Sequence, residues 1–159
     1  MPEYGTESKA NLATVHPILR LVCNRAISLI DHKVICGWRG EAAQHEAFIS
    51  GKSQLDWPKS NHNRQVYSEI MRQWTPESFA VDLAPFPIDY WSESSTEAQK
   101  REGTLRFYYL AGVMIGIADE IDLVKCYGMR LRWGGNWKMD GVFYNEKFRD
   151  VGHFEIIKA

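Results

Sequence analysis

The residues best suited to metal chemistry lie far apart in this chain of 159 residues. His62 ends a polar loop, Asp82 lies between apolar residues, and Asp150 and His153 stand three residues apart in RDVGHFEI. Imidazoles and a carboxylate are common zinc ligands in proteins. On the residues alone, an alternative stays open, namely solvated acids beside a core imidazole. The other histidines are predicted to be solvated or structural: His16, His32 and His45.

Asp82 needs a partner. It alternates with Val81 and Leu83 in FAVDLAPF, which predicts a strand that ends at Pro85. A carboxylate flanked by apolar residues in a strand is costly to bury unpaired. We therefore expect a positive group or a metal ion beside it.

Asp150 and His153 cannot both point to one site from a straight strand, because residues three apart face opposite sides. We expect a bend in which Gly152 adopts backbone angles forbidden to other residues. Asp150 then comes off a turn while His153 begins the strand. Glu155 shares the face of His153, where it either orients an imidazole or is a solvated or ion-paired strand residue.

Several motifs are spread over nearly the whole chain. They are S-N-H at 60–62, A-V-D at 80–82, D-x-x-H-F-E at 150–155, and the segments NLATVHPIL, VICGWRGEAAQHEAFISGKSQ and LRWGGNW. Together they resemble zinc-dependent L-alanyl-D-glutamate peptidases, which are cell-wall endolysins of the group that includes D-Ala-D-Ala carboxypeptidases and the hedgehog signalling domain.

The resemblance implies that His62, Asp82 and His153 hold Zn²⁺ and that Asp150 is the catalytic acid/base. Three nitrogen and oxygen ligands leave one tetrahedral position open, where the pKa of water falls to about 7. An acid in a partly dry site with a raised pKa suits the proton transfers assigned to Asp150.

Four further residues are candidates for catalysis or substrate contact. Arg39 matches a family position near the substrate, where it either holds an oxyanion or carboxylate or forms a structural salt bridge. Ser60 matches the family's S-x-H motif and either donates to a substrate carboxylate or caps a turn. Trp133 and Trp137 either flank the peptide groove or pack in the core.

The chain departs from the family between the first two implied ligands. Relatives space this histidine and aspartate seven residues apart, whereas His62 and Asp82 are twenty apart. The free-energy cost of closing a loop rises only logarithmically with its length, so both residues can still meet. The inserted segment NRQVYSEIMRQWTPE, which carries Tyr67 and Trp74, is either a lid or wall of the cleft or a small surface helix.

Composition excludes several classes of protein. Hydrophobic content of 45%, charged content of 25% and a net charge of -1 are typical of a globular protein with no nucleic-acid partner. Three cysteines without a C-x-x-C pair indicate neither a disulfide framework nor a thiolate zinc site. The longest uncharged stretch, 107–118, is shorter than the ~20 residues of a membrane span.

The first residues lack the pattern of a secretory signal. With the resemblance, this predicts synthesis in the host cytoplasm and action at the cell wall or periplasm after release. We expect a monomer, formed as a single zinc peptidase domain over 1–159 with a flexible tail at 1–10.

Periodicity and breaker residues predict the elements that position these residues. In chain order they are a helix over about 15–30, a strand at 33–37, a helix over 41–52, a loop, a weak helix over 65–74, the Asp82 strand, a loop over 88–103, a long helix over about 104–122, and strands in 130–133 and 152–158. This order predicts an α+β fold with a small, mostly antiparallel sheet packed against helices, as in the hedgehog and D-Ala-D-Ala peptidase fold.

The function implied is zinc-dependent hydrolysis of the L-alanyl-D-glutamate bond of peptidoglycan stem peptides, by a phage or prophage endolysin in host lysis. One alternative is a D-alanyl-D-alanine carboxypeptidase on the same scaffold, although its E-x-x-W-H pattern does not occur here. The other is a non-catalytic zinc-binding recognition module.

Overall fold

The computed structural model describes residues 2–87 and 94–159. The helices in these ranges are α1 (Thr6–Ala13), α2 (Pro17–Ala26), α3 (Glu41–Ile49), α4 (Glu97–Ile121) and α5 (Leu123–Tyr127). The strands are β1 (His32–Cys36), β2 (Gln65–Ser68), β3 (Gln73–Pro76), β4 (Ala80–Pro85), β5 (Met129–Trp133) and β6 (His153–Lys158). Single 3-10 turns occupy Asn61–Asn63 and Phe143–Asn145.

Four strands form one antiparallel sheet in the order β1-β4-β6-β5. In the register of this sheet, Asp82 of β4 lies between Cys36 of β1 and His153 of β6. The predicted α+β fold with a small antiparallel sheet is confirmed. Its two central strands, β4 and β6, place an aspartate and a histidine side by side.

The core lies between this sheet and the helices α2 and α4. Val81 and Leu83 are buried in it, together with Leu19, Leu110, Met114 and Phe154. Each large apolar side chain buried here contributes roughly 1.5–3 kcal/mol. Because side chains alternate along a strand, Asp82 points away from this core, toward the open face of the sheet.

The N-terminal residues differ from the predicted flexible tail. Helix α1 begins at Thr6, and the side chain of Tyr4 is buried before it. The Tyr4 hydroxyl lies 2.9 Å from the carbonyl oxygen of Cys23 and 2.6 Å from Nε2 of His32. An aromatic residue with buried polar partners thus anchors this segment, and His32 has the structural role predicted for it.

Helix α4 begins earlier than predicted. Thr96 and Gln99 form a reciprocal capping box, in which Oγ1 of Thr96 accepts from the Gln99 amide at 3.2 Å. The helix therefore starts at Glu97, so the predicted loop over 88–103 is wrong from residue 97 onward. The part of that loop at 88–93 lies outside the described residues.

The inserted segment is a β-hairpin, so the predicted weak helix over 65–74 and the surface-helix alternative are both wrong. Strands β2 and β3 pair antiparallel, with Tyr67 directly opposite Trp74. Aromatic and β-branched residues favour strands, and this outweighs the weak helical spacing of the segment. At the hairpin base, the amide of Glu77 donates to the Arg64 carbonyl at 3.0 Å.

Candidate metal centre

Three donor atoms from distant parts of the chain converge on the open face of the sheet. Nε2 of His62 and Nδ1 of His153 each lie 3.1 Å from Oδ1 of Asp82. The two nitrogens lie 3.2 Å from each other. The structure thus brings the three predicted ligands together despite the long insertion.

The positions of these side chains follow from local structure. Asp82 lies in the central strand, and His153, the first residue of β6, is its register partner. His62 lies in the 3-10 turn 61–63, which Ser60 caps by accepting from the His62 amide at 3.2 Å. A strand pair and a capped turn therefore hold the imidazoles.

Hydrogen bonds to the outer ring nitrogens fix the histidine tautomers. Nδ1 of His62 lies 2.6 Å from the carbonyl oxygen of Gly37, and Nε2 of His153 lies 3.2 Å from Oε2 of Glu155. Both acceptors require N–H donors, so we assign the protons to these outer nitrogens. The lone pairs of both rings then face Oδ1 of Asp82.

This arrangement requires a positive charge at its centre. Burial alone would lower the pKa of His62, but the neighbouring Asp82 carboxylate raises it to about 10. Burial alone would raise the pKa of Asp82, but the two histidines hold it well below its usual range. A proton or a metal cation satisfies this demand, and two imidazoles with one carboxylate are a donor set that zinc favours.

Asp150 lies beside the centre, on a turn that precedes β6. Its carbonyl oxygen accepts from the His153 amide at 3.1 Å, and its own amide donates to Gly134 at 3.0 Å. A ligand atom of Asp150 lies within 4.8 Å of those of Asp82 and His153. The predicted turn is therefore present, and both side chains reach one site.

The predicted role of Gly152 in this turn, to adopt backbone angles forbidden to other residues, is wrong. Gly152 is not among the glycines with positive φ. It is required because a Cβ at this position would lie 2.8 Å from the carbonyl oxygen of Leu83. A close approach between backbones, and not a left-handed conformation, sets the bend.

The setting of Asp150 suits proton transfer. Burial, and then the nearby Asp82 carboxylate, raise the pKa of Asp150 above its usual range. An acid with a raised pKa accepts a proton more readily and can return it near neutral pH.

Arg39 contacts the second oxygen of Asp82. Its Nη2 donates to Oδ2 at 2.9 Å, and its Nη1 donates to Oε1 of Gln44 at 3.3 Å. Gln44 is 0% exposed, and its amide nitrogen donates to Ser53 and to the Leu55 carbonyl. The structural salt bridge that the sequence left open is therefore present, and it leaves Oδ1 to face the imidazoles.

Glu155 is buried beside His153, and its carboxylate contacts three side chains. Oε2 accepts from Asn61 at 2.8 Å and lies 3.2 Å from Nε2 of His153, while Oε1 accepts from Arg132. Both roles considered for Glu155 are present, because it is ion-paired and also orients an imidazole. The sequence did not indicate Gln44 or Asn61, because nothing in their spacing distinguishes them from surface amides.

The two predicted substrate tryptophans have different surroundings. Trp133 is 4% exposed, packs on Tyr108 and Phe143, and donates its indole N–H to the Val151 carbonyl at 2.8 Å. Its predicted place in the groove is wrong, because it is a core residue. Trp137 lines the cleft, with its ring centroid 5.1 Å from that of His153.

Cys36 is a further residue that the sequence did not place near the site. Its sulfur and ligand atoms of His62 and Asp82 lie within 4.8 Å of one another. It is a free thiol, as are Cys23 and Cys126.

The centre lies in an open cleft of about 1400 Å³. One wall comes from α3 and the residues after it, and the other from 145–153. Arg39, Ser60, Trp137 and Asp150 all line the cleft, whereas the hairpin residues 65–76 do not. The predicted lid or wall role of the insertion is therefore not seen, although Ser60 and Asn61, directly before it, are cleft residues.

The chain is similar to known peptidases over nearly its whole length. The family described as phage L-alanyl-D-glutamate peptidase matches residues 2–157. The L-alanyl-D-glutamate peptidase of Escherichia phage T5 is 28% identical over 164 residues, covering 98% of both chains. The crystal structure of the Serratia marcescens L-Ala D-Glu endopeptidase ChiX shares the fold, with a TM-score of 0.62 and 24% identity over 98% of this chain and 90% of that one.

Proposed function

The chain belongs to the phage L-alanyl-D-glutamate peptidase family, and on that premise we propose that His62, Asp82 and His153 hold a catalytic Zn²⁺ ion. As a member it is a peptidoglycan-hydrolysing peptidase, consistent with an endolysin role. The observation that supports the metal site is the convergence of two ring nitrogens and one carboxylate oxygen at 3.1–3.2 Å. Zinc bound by these atoms supplies Lewis acidity toward water and toward a scissile carbonyl.

The protein's own residues carry the proton chemistry in this proposal. Asp150 takes a proton from the attacking water and returns it to the departing amine, the nitrogen of D-glutamate. Its raised pKa supports both transfers. Arg39 and Glu155 hold Asp82 and His153 in place, since each bonds to the side of its neighbour that faces away from the centre.

The cleft residues around the centre bind the stem peptide. The Ser60 hydroxyl accepts from the His62 amide, which leaves its proton available for a substrate carboxylate. Trp137 presents its ring beside His153 and forms one side of the peptide groove. Arg39 assists by holding an oxyanion or carboxylate, in addition to its contact with Asp82.

Digestion of purified peptidoglycan tests the reaction. We expect mass spectrometry to find new N-terminal D-glutamate, metal analysis to find zinc, and chelation to abolish cleavage. Release of D-alanine without new D-glutamate termini would identify the carboxypeptidase alternative. Binding of zinc and peptide without hydrolysis would identify a recognition module.

We further propose that the enzyme is a monomer that is made in the host cytoplasm and reaches the wall after release. None of the helices in the described ranges is long and apolar enough to cross a membrane. Light scattering tests the oligomeric state. Fractionation of a host that expresses the protein, with and without a membrane-permeabilising agent, tests the route.

A further inference from the structure

We propose that the β2–β3 hairpin carries a binding site for the glycan strand of peptidoglycan, built on the paired rings of Tyr67 and Trp74. This inference rests on the proposed function, because it assigns a second contact with the same substrate. It concerns a part of the chain that the cleft does not use.

The two rings form one exposed surface. Tyr67 and Trp74 are direct cross-strand partners, with centroids 5.6 Å apart and planes at 70°. They are 43% and 63% exposed. By strand alternation, Gln65 lies on the same face as Tyr67 and offers an amide beside the rings. Sugar C–H groups carry partial positive charge and pack on aromatic faces, while an amide bonds to hydroxyl or N-acetyl groups.

The hairpin also carries exposed apolar residues at its turn. Ile70 and Met71 are 96% and 57% exposed, next to the strands that carry the two rings. Exposed apolar surface that is concentrated in one segment marks interaction sites in proteins.

The hairpin lies close in sequence to two of the proposed metal ligands, His62 and Asp82. It starts at Gln65, three residues after His62, and closes where the Glu77 amide bonds to the Arg64 carbonyl, shortly before β4. Ser60 and Asn61 line the cleft just before it. The hairpin therefore follows directly in the chain on residues that line the cleft.

The chemistry of the substrate places sugar close to the bond that is cut. The bond that is cut follows L-alanine, and this L-alanine is attached through a lactyl group to the sugar chain. One extended residue spans only about 3.6 Å, so the glycan lies close to the cut bond. A four-residue strand extends roughly 13 Å, which brings the rings within reach of neighbouring sugars.

A lipid surface is the competing occupant, and the charges disfavour it. Glu69 and Arg72 flank the apolar turn, so the tip has no net positive charge to attract an anionic membrane. The rings also lie on a strand face, away from the tip, where a shallow membrane contact would reach them last.

The test compares three substrates for the full chain. These are a soluble stem peptide without sugar, intact sacculi, and glycan strands stripped of peptide. We expect the Tyr67→Ala/Trp74→Ala double variant to bind stripped glycan roughly tenfold more weakly and to lose about tenfold more activity on sacculi than on the soluble peptide. The matched control is Val66→Ala on the opposite face of the same strand, which should leave both activities unchanged.

Equal glycan binding by the wild type and the double variant would overturn the proposal. So would hairpin-dependent binding to vesicles of phosphatidylglycerol without binding to glycan, which would indicate a membrane contact. Equal losses on sacculi and soluble peptide would indicate a structural role and would also overturn it. Failure of the wild type to cut both sacculi and the soluble peptide would instead refute the proposed function.

Discussion

Arg39 and Asp82 form a salt bridge at 2.9 Å that ties one carboxylate oxygen to the wall of the cleft. Only the other oxygen faces the two imidazoles. Because a guanidinium can bond to the carboxylate and to Gln44 together, this contact fixes the rotation of the Asp82 carboxylate.

Replacement of Arg39 should therefore weaken metal binding. We expect Arg39→Met to raise the zinc dissociation constant about 10–100-fold, measured by competition with a chelating dye. Arg39→Lys should recover only part of this loss, because one ammonium cannot reproduce the planar fork. Arg25→Met, which breaks the exposed pair with Glu120, is the control. Unchanged zinc affinity with a reduced kcat would instead show that Arg39 acts on the substrate.

Glu155 should control both metal affinity and acid stability. Burial alone would raise the Glu155 pKa, but the histidine and the other donors lower it to about 2. A carboxylate with a lowered folded pKa stabilises the fold above its unfolded pKa of about 4.5, and this stability is lost as pH falls toward 2. We expect urea midpoints of the metal-free wild type to fall over this range.

The Glu155→Gln variant should lose the part of this pH dependence that Glu155 contributes, while the part that Asp82 contributes remains. At neutral pH it should be less stable by about 1.5–3 kcal/mol, because Arg132 loses a charged partner. It should also bind zinc about 10–100-fold more weakly, since an amide oxygen replaces the charged acceptor of the His153 N–H. A pH dependence as steep as that of the wild type would contradict this role of Glu155.

Asp150 should set the acidic limb of the pH–rate profile. A general base must be ionised, and the pKa of Asp150 is raised, so kcat/KM should rise with pH above the usual aspartate range. Asp150→Asn should lower kcat about 10²–10⁴-fold and remove this limb. The exposed Asp119→Asn on α4 is the control. A limb that survives in Asp150→Asn would assign it to another group.

The same substitution separates catalysis from folding. A raised carboxylate pKa means that the ionised form disfavours the native state, so this cost is absent at low pH and present above the folded pKa. The metal-free Asp150→Asn variant should therefore be at least as stable as the wild type at pH 7 by urea denaturation. A marked loss of stability would mean that its inactivity reports misfolding.

Alternation and breaker residues predicted the sheet, whereas the resemblance to a known family implied the three candidate metal ligands. Alternation around Asp82 and the short motifs at His62 and His153 are visible in one dimension, and antiparallel pairing then brings them together. The network behind these side chains was not predictable in this way. From the sequence, Gln44 in α3 would be predicted to be a surface amide, and only the packed structure shows that it accepts a hydrogen bond from Arg39.

Two other predictions were wrong, one because of conflicting local preferences and one because of a contact with a distant residue. The segment 65–74 has weak helical spacing together with strand-forming aromatics, and pairing of Tyr67 with Trp74 decides between them. Gly152 was expected to need special backbone angles, whereas the constraint is a contact with Leu83 in another strand. Constraints imposed by distant residues leave no sign in the adjacent sequence.

Cys36 allows a direct test of the attacking group. A thiol beside His62 is also the arrangement of a cysteine nucleophile, whereas the proposed mechanism uses water. We expect Cys36→Ala to keep kcat within about threefold of the wild type, because water attacks in the proposed mechanism. Removal of a true cysteine nucleophile would instead lower kcat by many orders of magnitude. Iodoacetamide should inhibit the wild type by filling the cleft, should not inhibit Cys36→Ala, and should inhibit the exposed-site control Cys126→Ala. Loss of activity in Cys36→Ala with zinc still bound would show that the thiol, and not water, attacks the peptide.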